Sequence, residues 1–392
     1  MKMEKQIQRN ILTMNILVAF FWMSQYCYVP NLPQYAQSFG ADALILGIIG
    51  GVYGIAQILL RIPLGLIADN TGKDRGIMVI GALVLTASCG IFVFANSAVL
   101  IVLGRLTAGA AAAWWALQGA AYANYHRVEA QVKAQGILSA SANWGKVAAS
   151  LVGGLIAQYM GMHAIFVFAF ASALLCIFLS VRIKDIPRPE QKKPAKSFRD
   201  LLPLFKSRDM IVFSALTTIG VLLFFAGPTY FTVVAAQELG ATSMDFGLLN
   251  MTFYIFSGLI CLWVGSRTYK KLGNTTAIAL GFLLTAVSCV PYLYHINLPI
   301  IYLTEALAGI GTGISCTAVS GLVLRVFPQE VRGVANAVFQ SLVASGALIG
   351  PVLVGSLIKS VSFDASYWAL VIIAVAAAGM CYLLIPRKYA RI

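Results

Sequence analysis

Four ionisable residues lie well inside long apolar stretches of this 392-residue chain: Arg61, Arg105, Lys146 and Glu305. An ionisable side chain at the centre of a bilayer costs about 2.5–3.5 kcal/mol on insertion scales, so each must face protein or water. Glu305 is the one acid among the four, and a carboxyl whose surroundings alternate between dry and aqueous can bind and release a proton. We expect Glu305 to bind a proton and Arg105 to modulate it. The alternatives are a fixed structural ion pair or an acid at headgroup level.

Lys146 lies in the middle of its apolar stretch, close to Asn143. An ammonium group at that depth suits a carboxylate or phosphate of a bound solute, so both residues are candidates for solute binding. Alternatively, Lys146 takes the place of a proton-coupling residue, or it caps a backbone carbonyl. Arg61 lies near the end of its stretch. Its side chain is expected either to snorkel to the membrane surface or to belong to a gate network. Three interior cations against one acid favour an anionic or zwitterionic solute.

Aromatic residues in the same stretches are expected to shape a solute pocket, namely Tyr26, Trp115 and Tyr230. The alternative for each is a lipid-facing position or packing between helices. Pro30 and Pro228 interrupt the first and seventh stretches, and proline frees a backbone carbonyl and permits bending. We interpret these points as flexible outer gate segments, with ordinary kinks as the alternative.

Other kinds of chemistry find little support in the sequence. The seven cysteines form no Cys-x-x-Cys motif, and the three histidines are too scattered for a metal site. A His-Glu-x-x-His motif and a Walker loop are both missing. The sequence therefore predicts no cofactor, no metal and no enzyme. A channel would need a pore loop or a ring of charge, and a sensor that transports nothing stays open as an alternative.

The elements that carry these residues are twelve apolar stretches, each long enough to cross the hydrocarbon core as a helix of about 20 residues. Hydrophobic residues make up 59% of the sequence and charged residues only 11%, against about 25% charged in soluble domains. We predict an all-α membrane protein with twelve transmembrane helices over residues 11–38, 43–68, 77–96, 98–125, 135–158, 162–181, 210–235, 246–265, 276–295, 299–326, 335–358 and 366–386.

Positive charges are concentrated in every second connection between the stretches. Of the 28 lysines and arginines, 24 lie at the termini or in connections that follow even-numbered stretches, and the opposite connections carry one, Lys359. Cationic loops stay in the cytoplasm. Both termini are therefore predicted to be cytoplasmic, in a plasma (inner) membrane. The net charge of +14 then reflects topology and contact with membrane lipid, and no nucleic-acid partner is expected.

The chain matches itself when it is shifted by 200 residues without gaps. Among the coincident pairs are Ala36-Gln37 with Ala236-Gln237, Gly47 with Gly247, Ser88-Cys89 with Ser288-Cys289, and Ala108-Gly109 with Ala308-Gly309. Parallel repeats of this kind place two halves in the same orientation. We predict an N-terminal six-helix bundle over 1–181, a cytoplasmic linker over 182–209 and a C-terminal bundle over 210–392, acting as a monomer.

The connection between the second and third stretches carries a known pattern. The segment Gly65-Leu66-Ile67-Ala68-Asp69-Asn70-Thr71-Gly72-Lys73-Asp74-Arg75 resembles the Gly-x-Leu-Ala-Asp-x-x-Gly-x-Lys-Arg signature of the major facilitator superfamily, with Asp74 at a usually basic position. The resemblance extends over essentially the whole chain. It implies that family's fold of two pseudo-symmetric six-helix bundles. It also implies a gate latch formed by Gly65, Asp69, Gly72 and Arg75, and Arg61 is a further gate candidate.

A second motif bears on coupling. Arg105 to Gly109 resembles the family's fourth-helix Arg-x-x-x-Gly motif, which is linked to proton coupling. Because helices 1, 4, 7 and 10 line the central cavity of this fold, the resemblance places Arg105 and Glu305 around it. The Gly-Pro pair typical of helix 5 in proton-antiporting exporters is missing, and Gly350-Pro351 occurs in helix 11 instead.

The resemblance implies a secondary active transporter that moves a small organic solute by alternating access. Proton coupling and efflux of a drug or metabolite are favoured. The departure in helix 5 leaves the alternative open: proton-coupled uptake, or facilitated diffusion, of an anionic or zwitterionic metabolite. The expected partners are the solute, protons and membrane lipid.

Overall fold

The computed structural model describes residues 2–71, 74–126, 131–185, 202–264, 271–294, 297–327 and 332–389. These ranges are almost entirely helical and contain no strand. Eleven helices within them are long and apolar enough to cross a membrane. One further helix, Gln131–Met160, has 30 residues, and it packs mainly against the first and eighth of the spans numbered below. The prediction of an all-α membrane protein with twelve spanning helices is therefore confirmed.

We number the spans from the N-terminus. The first six are Lys2–Tyr26 continued by Leu32–Gln37, Ala43–Thr71, Asp74–Val93, Ala98–Ala113 continued by Trp115–Asn124, Gln131–Met160, and Met162–Arg182. The other six are Arg208–Ala226 continued by Thr232–Glu238, Ser243–Trp263, Asn274–Cys289, Leu298–Val326, Arg332–Ser360 and Phe363–Leu384. Between the halves, the short helix Leu202–Lys206 ends the predicted linker, and residues 186–201 lie outside the described ranges.

The predicted and observed ends of the spans agree closely except at two ends. Span 9 was predicted to reach residue 295, but its α-helix ends at Cys289 and a 3₁₀ turn continues to Leu293. Span 1 begins at Lys2, whereas the apolar pattern predicted a start at residue 11. The additional turns contain lysine, glutamate, glutamine and methionine, which favour helix without any need for lipid. Hydropathy indicates only the length of the membrane-embedded part of a helix. It does not detect the additional turns of a helix that continues into water.

Spans 1 and 7 are broken at equivalent places. Val29–Asn31 forms a 3₁₀ turn that contains Pro30, and Gly227–Phe231 forms a π-helical turn that contains Pro228. Proline cannot donate a backbone hydrogen bond, and its ring clashes with the carbonyl four residues earlier, which explains both breaks. The predicted interruptions are therefore observed, and their service as gates stays a prediction.

The two halves repeat one packing pattern. In the first, span 1 packs on spans 5 and 6, span 2 on span 4, and span 3 on spans 4 and 6; the second half shows the same contacts between the spans numbered six higher. The bundles meet mainly through two further pairs, span 2 with span 11 and span 5 with span 8. These two pairs are also equivalent under the repeat, as a pseudo-twofold axis along the membrane normal requires.

Glycine allows the close approach of spans 5 and 8. A Cβ atom built on Gly247 would lie 2.9 Å from the Cα of Gly154, and one built on Gly154 would lie 3.2 Å from the Cα of Gly247. Nearby, the Ser150 hydroxyl donates to Asn250 Oδ1 across 3.1 Å. Helices in lipid associate through such small-residue contacts and hydrogen bonds, because burial from water contributes nothing there.

This contact generates a stability prediction. Gly247→Ala should destabilise the protein by about 1–3 kcal/mol, since backbone atoms of span 5 leave no room for the added methyl group. The measurement is thermal unfolding of the purified protein in detergent. Gly258→Ala is the matched control on the same helix, because a Cβ atom there meets nothing within 4 Å. Equal melting temperatures for the two variants would contradict the predicted contact.

Candidate functional site

Lys146 of span 5 lies between the two bundles, among three aromatic rings. Its Nζ atom is 4.5 Å from the ring centre of Trp22, 5.0 Å from that of Tyr26 and 5.4 Å from that of Tyr254. Trp22 and Tyr26 are one turn apart on span 1, whereas Tyr254 belongs to span 8 of the other bundle. A cation within about 6 Å of a ring centre is attracted to the ring face. We call Trp22, Tyr26 and Tyr254 the aromatic cage.

Two further residues predicted to bind solute lie close to the cage. The Trp115 ring centre is 5.7 Å from that of Trp22. Asn143 is partly buried on the same helix as Lys146, three residues before it. Lys146, Tyr26 and Trp115 are thus in one neighbourhood, with Asn143 on the helix that enters it. Their contact with a solute stays a prediction.

Arg105 of span 4 is 2% exposed and lies against aromatic rings. Its guanidinium carbon is 4.2 Å from the ring centre of Tyr53 on span 2 and 5.9 Å from that of Tyr230 in the broken segment of span 7. The Nε atom of Arg105 has no hydrogen-bond partner among the described residues. The structure therefore brings Arg105 and Tyr230 together across the bundles and leaves one buried donor of Arg105 without a partner among the described residues.

Glu305 occupies a different place, inside the C-terminal bundle. Its carboxyl is 1% exposed and borders a small cavity that has room for about one water molecule. Within the described ranges Oε2 has no hydrogen-bond partner, and the Thr232 hydroxyl faces the carboxyl. Tyr292 joins the group through hydrogen bonds with Thr232 at 3.2 Å and with Thr304 at 2.9 Å.

This position connects Glu305 to the break in span 7. Thr232 is the first residue after the π-helical turn, and Gly227 and Pro228 of that segment line the same cavity. No cation of the described chain pairs with the carboxyl. An ionised carboxylate buried without a cation is costly, so the enclosed site accommodates the protonated acid. Movement of the span 7 segment would change the surroundings of Glu305 directly.

Arg105 and Glu305 form no ion pair in the described chain. Arg105 faces the space between the bundles, and Glu305 lies within one bundle. Tyr254 is in electrostatic range of Glu305 and also packs edge-on against Tyr26, with ring centres 5.6 Å apart. The hypothesis that Arg105 modulates Glu305 stays a prediction.

Arg61 links the bundles at the predicted cytoplasmic half of spans 2 and 11. Its guanidinium donates to the backbone carbonyl and to the side-chain Oε1 of Gln340, and also to Gln57 on its own helix. The Ser341 hydroxyl donates to the Ile58 carbonyl across 2.9 Å in the same contact. The side chain is 7% exposed, so it does not snorkel in this conformation. Its contacts fit the predicted place in a gate network.

The signature segment is described only in part. A Cβ atom built on Gly65 would lie 3.7 Å from Ala337 of span 11, which places Gly65 at the contact between the bundles. The Arg75 backbone N–H donates to the Asp185 carboxylate across 2.9 Å at the end of span 6. The Asp69 side chain and Gly72 lie outside the described residues. The predicted latch therefore stays a prediction.

The opposite end of the molecule, predicted to face outside, is closed by polar contacts between the bundles. Lys359 donates to Asp42 across 2.7 Å, and Ser243 donates to Gln34 across 3.4 Å. The Lys359 ammonium holds the pKa of the Asp42 carboxyl below its ordinary value of 3.8. Both groups are partly accessible to solvent, so this pair is a modest and salt-sensitive contact.

Sequence reasoning did not single out Trp22, Tyr53 and Tyr254. The repeat offered a hint, because Tyr53 and Phe253 coincide at the 200-residue shift. Cβ atoms on Gly109 and Gly309 would contact the backbones of Tyr53 and Phe253 respectively. The matched glycines thus mark a close approach of span 4 to span 2 and an equivalent close approach of span 10 to span 8. Tyr254 is the neighbour of Phe253, one helical position away.

Comparison with known proteins now bears on this geometry. The family model described as "Major Facilitator Superfamily" matches residues 14–235 and 224–392. The chain belongs to the Major Facilitator Superfamily. Its members are membrane transporters of small solutes, so this chain is a multi-pass membrane transporter with the fold of that superfamily, and the recognition made from the signature segment is confirmed.

Individual relatives in the superfamily are distant but cover nearly the whole chain. The quinolone resistance protein NorA of Staphylococcus aureus is 23% identical over 393 residues, covering 99% of this chain and 98% of NorA. The class E tetracycline resistance protein of Escherichia coli is 23% identical, covering 93% and 92%. A bacterial homologue of the human lysosomal transporter Spinster has a TM-score of 0.78 at 14% identity, covering 97% of each chain. This last likeness shows the fold.

The outer ion pair generates a prediction about closure. Asp42→Asn should slow oxidative cross-linking of cysteines introduced at Gln34 and Ser243, in a background without the native cysteines, at pH 7. Because the pKa of Asp42 is lowered, the pair stabilises the closed end above pH 3.8 and is lost as the pH falls through the lowered value.

The charge-swapped variant, Asp42→Lys with Lys359→Asp, is the control for this prediction. It should restore the cross-linking rate at pH 7, because the attraction is the same with the partners exchanged. Equal rates in the wild-type, single-variant and swapped backgrounds would show that the pair does not hold this end closed.

Proposed function

We propose that this transporter couples the movement of a small organic solute to protonation of Glu305 and that it works as an exporter. The supporting observation is the enclosed Glu305 carboxyl, which has an unpartnered oxygen and lies beside the break in span 7. In the closed arrangement the site accommodates the protonated acid. When the segment around Gly227 and Pro228 moves and water enters, the carboxylate becomes tolerable and the proton can leave. Proton release is thereby tied to one conformation, as coupling requires.

The space between the bundles supports a proposal about the solute. It presents two cations, Lys146 and Arg105, against the rings of Trp22, Tyr26, Tyr53, Tyr230 and Tyr254. No carboxylate of the described residues pairs with either cation. Such a site suits an amphipathic aromatic solute that carries a carboxylate or another anionic group, whether the solute is anionic or zwitterionic overall.

Efflux as the direction draws support from the relatives. NorA and the class E tetracycline protein are both named for resistance, and a transporter that confers resistance lowers the concentration of the compound inside the cell. A fluoroquinolone is therefore a suitable first probe, since it is aromatic and carries a carboxylate. Location in the plasma membrane, cytoplasmic termini and a monomeric state remain predictions alongside this one.

The second candidate is uptake, or facilitated diffusion, of an anionic or zwitterionic metabolite. It draws support from span 5, where Ala149-Ser150 replaces the Gly-Pro pair and the Ser150 hydroxyl binds Asn250 of span 8. Proteoliposomes with an imposed pH gradient distinguish the candidates. Proton-coupled antiport concentrates the fluoroquinolone into an acidic lumen and moves protons out. Symport moves the solute and protons in the same direction. Facilitated diffusion gives no proton flux.

Glu305→Gln should abolish gradient-driven accumulation and leave solute exchange intact. For one coupled proton, a gradient of one pH unit supplies about 1.4 kcal/mol, or about tenfold accumulation. An amide cannot titrate, so this accumulation should disappear. The measurement is fluoroquinolone uptake into proteoliposomes, with and without the gradient. Exchange without a gradient should continue, because the site between the bundles is unchanged.

Glu238→Gln is the matched control, since it makes the same chemical change at an exposed position of the described chain. It should accumulate solute as the wild type does. Full accumulation by Glu305→Gln would refute the coupling role of Glu305. Loss of both accumulation and exchange in that variant would instead assign Glu305 a structural role.

A further inference from the structure

The aromatic cage has the form of a binding site for a cation, and the chain places its own cation in it. Trp22 and Tyr26 have ring centres 5.6 Å apart and planes inclined by 52°, and Tyr26 and Tyr254 have centres 5.6 Å apart with planes inclined by 83°. The rings therefore face the ammonium from different directions. Each is at most 7% exposed, so the surroundings are dry and the attraction to a cation is strong.

We propose that Lys146 is a tethered cation that determines the charge selectivity of the solute site. It occupies the place that an organic cation would take, excludes such cations by occupancy and repulsion, and leaves a positive site for anionic groups. This inference deepens the proposed function, on which it rests in treating the space between the bundles as the solute site.

The charged groups around the cage agree with this role. Two buried cations, Arg105 and Arg61, are in electrostatic range of Tyr26. On the C-terminal side, Glu305 is in electrostatic range of Tyr254 and lines the separate cavity. Lys146 has no carboxylate partner within salt-bridge distance in the described chain. The ammonium therefore lies against rings and within electrostatic range of the Cys261 thiol, and a second cation there would meet repulsion that no acid of the described residues offsets.

The aromatic cage and its lysine come from both bundles. Lys146 and two of the rings belong to the N-terminal bundle, and Tyr254 belongs to the C-terminal bundle. The cage is complete only where spans 5 and 8 are in contact, as they are through Gly154, Gly247, Ser150 and Asn250. Lys146 keeps part of its surface accessible.

Removing the lysine should convert the site into one that binds organic cations. A trimethylammonium group has as many heavy atoms as the lysine side chain has beyond Cβ, so it matches in size the space that Lys146→Ala leaves in the cage. We therefore expect Lys146→Ala to bind choline at least about tenfold more tightly than the wild type does. The measurement is isothermal titration of the full chain in detergent. The neutral isostere 3,3-dimethyl-1-butanol should show no such gain, since it has the same shape without the charge.

Two variants test whether the gain comes from the cage. Lys146→Arg keeps a cation in place and should gain no choline binding. Trp22→Leu combined with Lys146→Ala removes one ring and should lose most of the gain. The inference is overturned if Lys146→Ala binds choline no better than the wild type, if the isostere gains equally, or if the gain survives loss of the Trp22 ring.

The wild-type protein supplies an independent measurement that needs no variant to fold. It should bind benzoate more tightly than benzylammonium, two aromatic ions of similar size and opposite charge. Equal binding, or tighter binding of benzylammonium, would overturn the inference. These measurements use no gradient and leave Glu305 intact, so a failure of charge selectivity is distinct from a failure of proton coupling.

Discussion

The cost of placing charge in a low-dielectric membrane is the constraint on which the rest of this structure depends. Four of the charged side chains lie well inside the apolar part of the spans, namely Arg61, Arg105, Lys146 and Glu305, and within the described chain none of them neutralises another through an ion pair. Each has a different solution: Arg61 hydrogen-bonds across the bundles to Gln340, Arg105 and Lys146 lie against aromatic rings, and Glu305 borders a small polar cavity. Rings and hydroxyls attract charge less strongly than counter-ions do, so these groups stay responsive to solvent, solute and protons.

The contacts between the bundles follow a related logic. Lipid removes the hydrophobic drive for helices to associate, so spans 2 and 11 and spans 5 and 8 are held by close backbone approach and a few hydrogen bonds. Such contacts are specific but limited in strength, which suits surfaces that must separate and re-form. At one end of spans 2 and 11 the connection is the Asp42–Lys359 pair, and toward the other it is Arg61 with Gln340.

The broken segment of span 7 connects the two chemical sites. It presents Tyr230 toward Arg105 between the bundles and Thr232 toward Glu305 inside the C-terminal bundle. This segment is a π-helical turn, in which the backbone N–H of Thr232 donates to the Gly227 carbonyl, and such turns occur frequently at functional sites. In the proposed mechanism, a solute that displaces Tyr230 and a proton that binds Glu305 would both act on this one segment, which would couple two sites that have no direct contact.

The sequence by itself determined the twelve spans, the repeat of two like-oriented halves and the family, because hydropathy, glycine positions and the signature around Gly65 are local or periodic properties. It also identified Arg105, Lys146 and Glu305, since charge in an apolar stretch is conspicuous. Only the tertiary structure decided what surrounds them. Trp22 and Tyr254 meet at Lys146 from spans 1 and 8, and Glu305 lies apart from Arg105. The rotation of a helix and the choice of its neighbours depend on packing over the whole bundle, which no short stretch of residues encodes.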